Sequence, residues 1–353
     1  MSFDENTYLK WYIPRLAPSP DVINLHSSGM PAVRAEAVNP PPPAGFEMLR
    51  AVEERLAQNE GIPKEELLFT SGATGGTLLA LLTLGDRRSR FVVETPIYEP
   101  MMRQARRLGE VEILERTFEN RWQIDTRRAE KLIDDRTAVV LITEPHNPSG
   151  VFSSPESVAK LAGICRAKGA FLLVNEVYRG YSRRESLHGI ADNVLIVSSY
   201  SKLLGAYSNR VGWVSGPAPV IDRLRWASVN SGAGSAPSAA VGLGFAGQAA
   251  ERTTLAREAA ARGVDTVDRW VESCPGIDWI RPEGPGYGAV VLPRGVDDLA
   301  LANRLYEEKK VLAVPGTLFM APGTLRISWL GAGDRLGEGL DSIARALPTA
   351  PVP

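Results

Sequence analysis

One lysine and two arginines stand where such residues are costly unless something compensates them. Lys202 follows the apolar run VLIV (194–197) and sits among Ser198, Ser199 and Ser201. The run predicts a buried strand that ends beside an ammonium, and an ammonium taken out of water without a partner is expensive. For an isolated Ser-Lys pair the ordinary reading is a lysine in a surface loop. Arg210 follows eight residues on, just ahead of the apolar segment VGWV. Arg326 lies inside the strand-like run LRISWLG (325–331), and an arginine in an apolar strand calls for an anion. A planar guanidinium fork suits a phosphate or a carboxylate. TSGATGGTLLALL (70–82) reads as a strand, a glycine-rich turn and a helix start. The N–H groups and dipole at a helix N-terminus favour phosphate, although turns of this kind are common without any ligand.

The elements that must position these residues come from the apolar pattern. LLFTSG, RFVVETP, VEILERTF, TAVVLITEP, AFLLVNEVY, VLIVSSYS and RVGWVSG are short apolar runs, several of them separated by helical segments such as 100–108 and 155–168. Strands alternating with helices argue for an α/β fold with a mostly parallel sheet covered on both faces. Ligands of such sheets sit at the carboxyl ends of the strands. EMLRAVEERLAQ (47–58) has helical apolar spacing, and the proline cluster Pro40 to Pro43 reads as a stiff connector. Beyond Gly216 an alanine-rich helical region runs to about residue 273. Short strands around a helix at 297–309 and a last helix near 336–346 then predict a smaller α+β domain. The expected division is a large domain over 45–235 and a small one formed by 1–44 with 236–353.

Bulk properties narrow the partners. The 353 residues are 44% hydrophobic, enough for a large core, and the formal net charge of −1 gives no field for nucleic acid or an anionic membrane. Two cysteines, Cys165 and Cys274, make no disulfide framework or zinc spacing, and three scattered histidines make no His-based metal site. No leader pattern opens the chain and no apolar run reaches membrane-spanning length, so a cytoplasmic protein is expected. The expected partners are small molecules or a second copy of the chain.

Taken in order, these motifs resemble the class I/II aminotransferases, fold type I enzymes dependent on pyridoxal 5'-phosphate (PLP). The carrying motifs are NPSG (147–150), the serines and lysine of SYSK ahead of Arg210 and Gly212, and the spacing between them. The resemblance spans roughly residues 23–345. It implies that Lys202 carries PLP as a Schiff base. Ala73, Thr74, Ser199, Ser201 and Arg210 would hold the phosphate. Tyr98 would stack on the pyridine ring, while Asn147 and Tyr178 would donate to the phenolate oxygen. Arg326 would bind the substrate carboxylate, with the backbone near Gly29 closing over it. An L-amino acid and a 2-oxo acid would be the substrates and a homodimer the assembly. Taken without the resemblance, Tyr98 reads as packing, the serines as loop residues, and His146 as a solvated side chain beside a loop.

Two positions depart from the family pattern. PPPPAGF (40–46) has no tyrosine where relatives often reach the neighbouring subunit's phosphate. NEVY (175–178) has Asn175 where the family nearly always has aspartate. An aspartate beside the pyridine nitrogen keeps it protonated, because an anion favours the charged form. Asparagine is neutral and can instead donate an N–H to an unprotonated nitrogen, which weakens the electron sink. Glu176 is a poor replacement, since neighbouring strand residues point to opposite faces. The alternatives are a PLP-dependent lyase, cyclase or other non-transaminating enzyme, or a non-catalytic protein that keeps the fold. Arg34 is a further arginine near the expected site, read first as a surface residue.

Overall fold

The computed structural model describes residues 7–16, 19–42, 45–85, 90–231 and 234–348. In chain order its strands are β1 (Ile23–Asn24), β2 (Leu67–Ser71), β3 (Arg90–Thr95), β4 (Glu110–Glu115), β5 (Thr137–Thr143), β6 (Phe171–Asn175) and β7 (Val194–Ser199). There follow β8 (Val211–Ser215), β9 (Asp278–Trp279), β10 (Tyr287–Val291), β11 (Val311–Leu312), β12 (Val314–Pro315) and β13 (Thr324–Ser328). All seven apolar runs expected in the larger sheet are strands of one sheet, ordered β2-β8-β7-β6-β5-β3-β4.

The runs are continuously apolar because both sheet faces are buried. Val139, Leu141, Leu173 and Leu195 point to one side and pack with Leu79, Met101 and Met102. Val140, Ile142, Leu172 and Val174 point to the other and pack with Val158, Leu161 and Cys165 of the helix Pro155–Ala167. The ladders from β7 through β6, β5 and β3 to β4 are parallel, whereas β8 is antiparallel to both its neighbours, β2 and β7. This reversal has a functional result. Arg210 precedes its strand, yet β8 starts at the edge where the other six strands end, so the arginine arrives beside Ser71 and Ser199.

A second sheet, ordered β12-β13-β10-β9, is antiparallel and carries Arg326 on β13 opposite Ala289 of β10 and Val314 of β12. Val267, Leu301 and Leu340, from the helices Ala249–Ser273, Asp298–Lys309 and Leu336–Ala346, close its core. β1 pairs with β11, and Ser328 N donates to Leu25 O at 2.8 Å. The segment 26–30 is thereby held on the small sheet while it reaches across to Lys202. The alanine-rich region divides into two helices, Ala236–Gly247 and Ala249–Ser273. Pro43 of the proline cluster lies outside the described residues.

Beneath the strand ends is a buried ion cluster. Arg116 Nη2 meets Glu94 Oε2 at 2.7 Å and Glu144 Oε1 at 2.9 Å, with Arg116 and Glu94 fully buried. Glu94 also accepts from Thr143 N at 2.5 Å, and Glu144 accepts from Ser153 N at 2.9 Å. Burial pushes Glu94 up to about 7; Arg116 opposes the rise and Glu144 adds to it. The cluster ties the ends of β3 and β5, and so the loops that carry Tyr98 and Asn147. Removing the cation leaves two buried carboxylates without a countercharge. Arg116→Met is therefore expected to lower unfolding free energy by about 3–5 kcal/mol, measured by urea denaturation. A loss below about 1 kcal/mol, the value of an exposed pair, would contradict this role.

Candidate active site

The carboxyl ends of β2, β3, β5, β6 and β7 surround a cavity of about 650 Å³. Its wall includes Ala73, Thr74, Tyr98, Asn147, Asn175 and Tyr178, and also Ser199, Ser201, Lys202, Arg210 and Arg326. Eleven of the twelve residues singled out from the sequence thus meet on one surface. The twelfth, Gly29, lies behind it: a Cβ there would stand 2.8 Å from both the Cα and the carbonyl oxygen of Lys202. Ser27, Ser28 and Met30 on either side do line the cavity. Arg34 is exposed and is not part of the wall.

Local structure explains the placement. β7 ends at Ser199, whose hydroxyl accepts from Ser201 N and starts the short turn of helix that carries Lys202. The Lys202 carbonyl accepts from Met30 N at 2.8 Å and from Tyr181 Oη at 2.7 Å, so the backbone below the amine is fixed from two sides. Ala73 and Thr74 form the first turn of a helix, Gly72–Leu84. Gly72 has φ +74°, and a Cβ there would collide with the Arg210 guanidinium, which donates to Ser71 O at 3.0 Å. Glycine at this position lets the arginine lie against the helix N-terminus.

Electrostatics define the cavity more sharply than its shape. Lys202, Arg210 and Arg326 line it, and among the described residues no aspartate or glutamate does. Among the described residues none of the three has a carboxylate partner. Lys202 Nζ instead lies 5.0 Å from the Tyr207 ring centroid. Burial, followed by the charges of Arg326 and Arg210, pushes the Lys202 amine down to about 7. Arg326 is buried. Its Nη1 donates to Asn147 Oδ1 at 3.1 Å, its Nη2 donates to His26 O at 2.7 Å, and its Nε has no hydrogen-bond partner among the described residues. The Arg326 guanidinium carbon also lies 4.9 Å from the Phe319 ring centroid. A buried guanidinium with neutral partners and an orphaned N–H keeps its charge uncompensated and suits an anion. Asn147 presents its oxygen to Arg326, which leaves its amide N–H groups as the donating end. Tyr178 is buried, with its hydroxyl 2.9 Å from Ser28 Oγ.

Several wall residues carried no chemical signal in the sequence. Tyr8 and Tyr12 extend from the helix Thr7–Tyr12, with their rings stacked at 5.1 Å, and Tyr8 meets Tyr98 edge-on at 5.3 Å. Their i, i+4 spacing puts both on one helix face, which was the available clue. His26 Nδ1 is 2.9 Å from Tyr12 Oη, and burial, then Arg326 and Lys202, push the imidazole down to about 3. It therefore adds no charge. His146 corrects the expectation of a solvated side chain. It is fully buried, 2.7 Å from Ser149 Oγ and 2.9 Å from Pro96 O, and joins the loop of Asn147 to the loop of Tyr98.

A glycine-led helix N-terminus beside Arg210, a lysine whose amine burial depresses, and a buried arginine brought in from the small antiparallel sheet meet at the ends of a mostly parallel sheet, the arrangement of the PLP-dependent enzymes of fold type I. The family model described as aminotransferase class I and II matches residues 44–343, and the chain belongs to that family of PLP-dependent transferases. A probable aspartate/prephenate aminotransferase of Aquifex aeolicus is 28% identical over 326 residues, covering 87% of this chain and 82% of that protein. A PLP-dependent aminotransferase of Streptococcus suis superimposes with a TM-score of 0.86 at 22% identity, over 98% of each chain. A structure described as a PLP-dependent cyclase gives 0.81 at 23% identity, over 98% of this chain and 97% of that one. These structural matches bear on the fold; the chemistry has to be argued from the site.

The depressed lysine gives a direct check. Only the neutral amine is nucleophilic, so after cofactor removal the acetylation of Lys202 by acetic anhydride should rise with pH around a midpoint near 7. Peptide mass spectrometry reads the modification. A midpoint at about 10.4, the ordinary lysine value, would contradict the described environment.

Proposed function

We propose that the chain moves an amino group between an L-amino acid and a 2-oxo acid, with Lys202 as the residue that holds PLP and transfers the proton. The observation that carries this reading is the cavity itself: three cations, no carboxylate among its described wall residues, and a lysine amine pushed down to about 7. Such a wall suits a ligand pair bearing a phosphate and a carboxylate. The residues fit PLP. Arg210, the first-turn N–H groups of Ala73 and Thr74, and the hydroxyls of Ser199 and Ser201 would hold the phosphate. Tyr98 would cover the ring face, and Asn147 and Tyr178 would donate to the phenolate oxygen. When bound, PLP supplies the electron sink for the charge released at the substrate Cα.

The remaining work belongs to the protein. The Arg326 guanidinium, whose Nε has no hydrogen-bond partner among the described residues, would bind the substrate carboxylate and so fix the orientation of the Cα–H bond, a positioning effect. The Lys202 amine, pushed down to about 7, would take the proton from the substrate Cα as a general base and hold it for return. Tyr8 and Tyr12, buried or partly buried on the same wall, limit the access of water. Arg210 and Arg326 are the only arginines of the described wall and both are used in this reading. The substrate side chain is therefore proposed to be neutral.

The domain division stays with this proposal, 45–235 against 1–44 with 236–353; the seven-stranded sheet falls within the first and the four-stranded sheet within the second. No described helix is long and apolar enough to cross a membrane. A cytoplasmic setting and a homodimer are likewise proposed, the dimer because sites of this family lie at a subunit interface.

An amino-donor screen with product identification tests the reaction. Neutral L-amino acids should give the matching 2-oxo acids, with aspartate and glutamate poorer donors. Release of an eliminated side chain or a cyclised product without amino transfer would overturn the reading. Arg326→Met should lower kcat/KM for the best donor at least about 30-fold, since losing one partner of a buried charged pair costs about 2–5 kcal/mol. A change below about threefold, roughly 0.6 kcal/mol and well short of that range, would remove Arg326 from carboxylate binding.

A further inference from the structure

Asn175 is the wall residue at the end of β6, and its amide has a defined direction. Val177 N donates to Asn175 Oδ1 at 3.2 Å. A backbone N–H can only donate, so the side-chain atom facing it is the oxygen. The amide NH2 is turned the other way, where its hydrogen-bond contact among the described residues is Met101 Sδ at 3.2 Å, a weak acceptor. Asn175 therefore offers the cavity a hydrogen-bond donor and keeps its acceptor for the backbone.

The adjacent carboxylate cannot reverse this polarity. Glu176 accepts from Ser186 Oγ at 2.7 Å, from Leu187 N at 2.8 Å and pairs with Arg179 Nε at 3.0 Å, and it is not part of the cavity wall. Glu94 and Glu144 are engaged by Arg116. The charged groups that do face the cavity are Lys202, Arg210 and Arg326. The remaining titratable wall groups are His26, neutral at physiological pH, and phenols that burial holds in their protonated form. A positive charge on a ligand ring beside Asn175 would face a donor, and no described wall residue supplies a carboxylate to balance it. Each of these effects favours the uncharged state.

We infer that this site binds PLP with its pyridine nitrogen unprotonated and accepting an N–H from Asn175. The inference rests on the cofactor reading above and sharpens it. The ring held here is a weaker electron sink than one paired with an aspartate. The protein's own groups, above all the Lys202 amine and the Arg326 grip on the carboxylate, then decide more of how the charge at Cα is discharged.

The test loads the full-length protein with PLP labelled with nitrogen-15 in the ring and records the ring nitrogen resonance at neutral pH. Free PLP titrated in acid and in base supplies the two reference positions. Wild type should give a bound resonance in the unprotonated range, and Asn175→Asp should move it to the pyridinium range. A bound wild-type resonance in the pyridinium range would overturn the inference while leaving cofactor binding intact. Absence of any bound resonance would overturn the cofactor reading and the inference with it. If Asn175→Asp fails to fold or to load, the wild-type position alone decides, and Asn175→Ala should then stay unprotonated.

Discussion

An uncompensated concentration of positive charge organises this molecule. Lys202, Arg210 and Arg326 share one cavity to which no described residue contributes a carboxylate. Like charges in a partly buried space repel and cost solvation, so the fold must hold them by other means. The restraints are neutral: carbonyls of Ser71 and His26, the Asn147 amide oxygen, and the faces of Tyr207 and Phe319. The result is a lysine whose amine loses its proton near neutral pH and an arginine with a donor to spare. Both properties are paid for in stability and are functional only in the presence of anions.

The carboxylates that could have neutralised these charges are held elsewhere. Glu94 and Glu144 are engaged by Arg116 below the strand ends, and Glu176 is engaged by Arg179, Ser186 and Leu187 on the other side of β6. These contacts both satisfy buried acids and keep the cavity free of them. The same cluster aligns the β3 and β5 ends, with His146 joining the two loops above it. Support of the site and its electrostatic character therefore come from one set of buried interactions.

Much of this was legible in the sequence, for identifiable reasons. Strands buried on both faces read as unbroken apolar runs, so the seven strands of the large sheet stand out. Lys202, Arg210 and Arg326 stand out because charge beside such runs is costly, and eleven of the twelve residues chosen on chemistry or resemblance share the cavity wall. What was hidden depends on tertiary distance. Tyr8 and Tyr12 sit on a six-residue helix, and only folding brings them to Tyr98. His146 looked like a loop side chain, although Ser149 and Pro96 bury and bond it. Arg116 pairs with acids 22 and 28 positions away in the chain, a relation no local pattern encodes. The direction of the Asn175 amide is likewise set by the fold, through Val177 N.

The proposed role of Lys202 is to hold PLP in this cavity. Its most direct measurement is borohydride reduction of the PLP-loaded protein, followed by proteolysis and mass spectrometry of the peptides. The account predicts a single phosphopyridoxyl modification on Lys202, absent from Lys202→Ala. Modification spread over surface lysines, with Lys202 unlabelled, would contradict it.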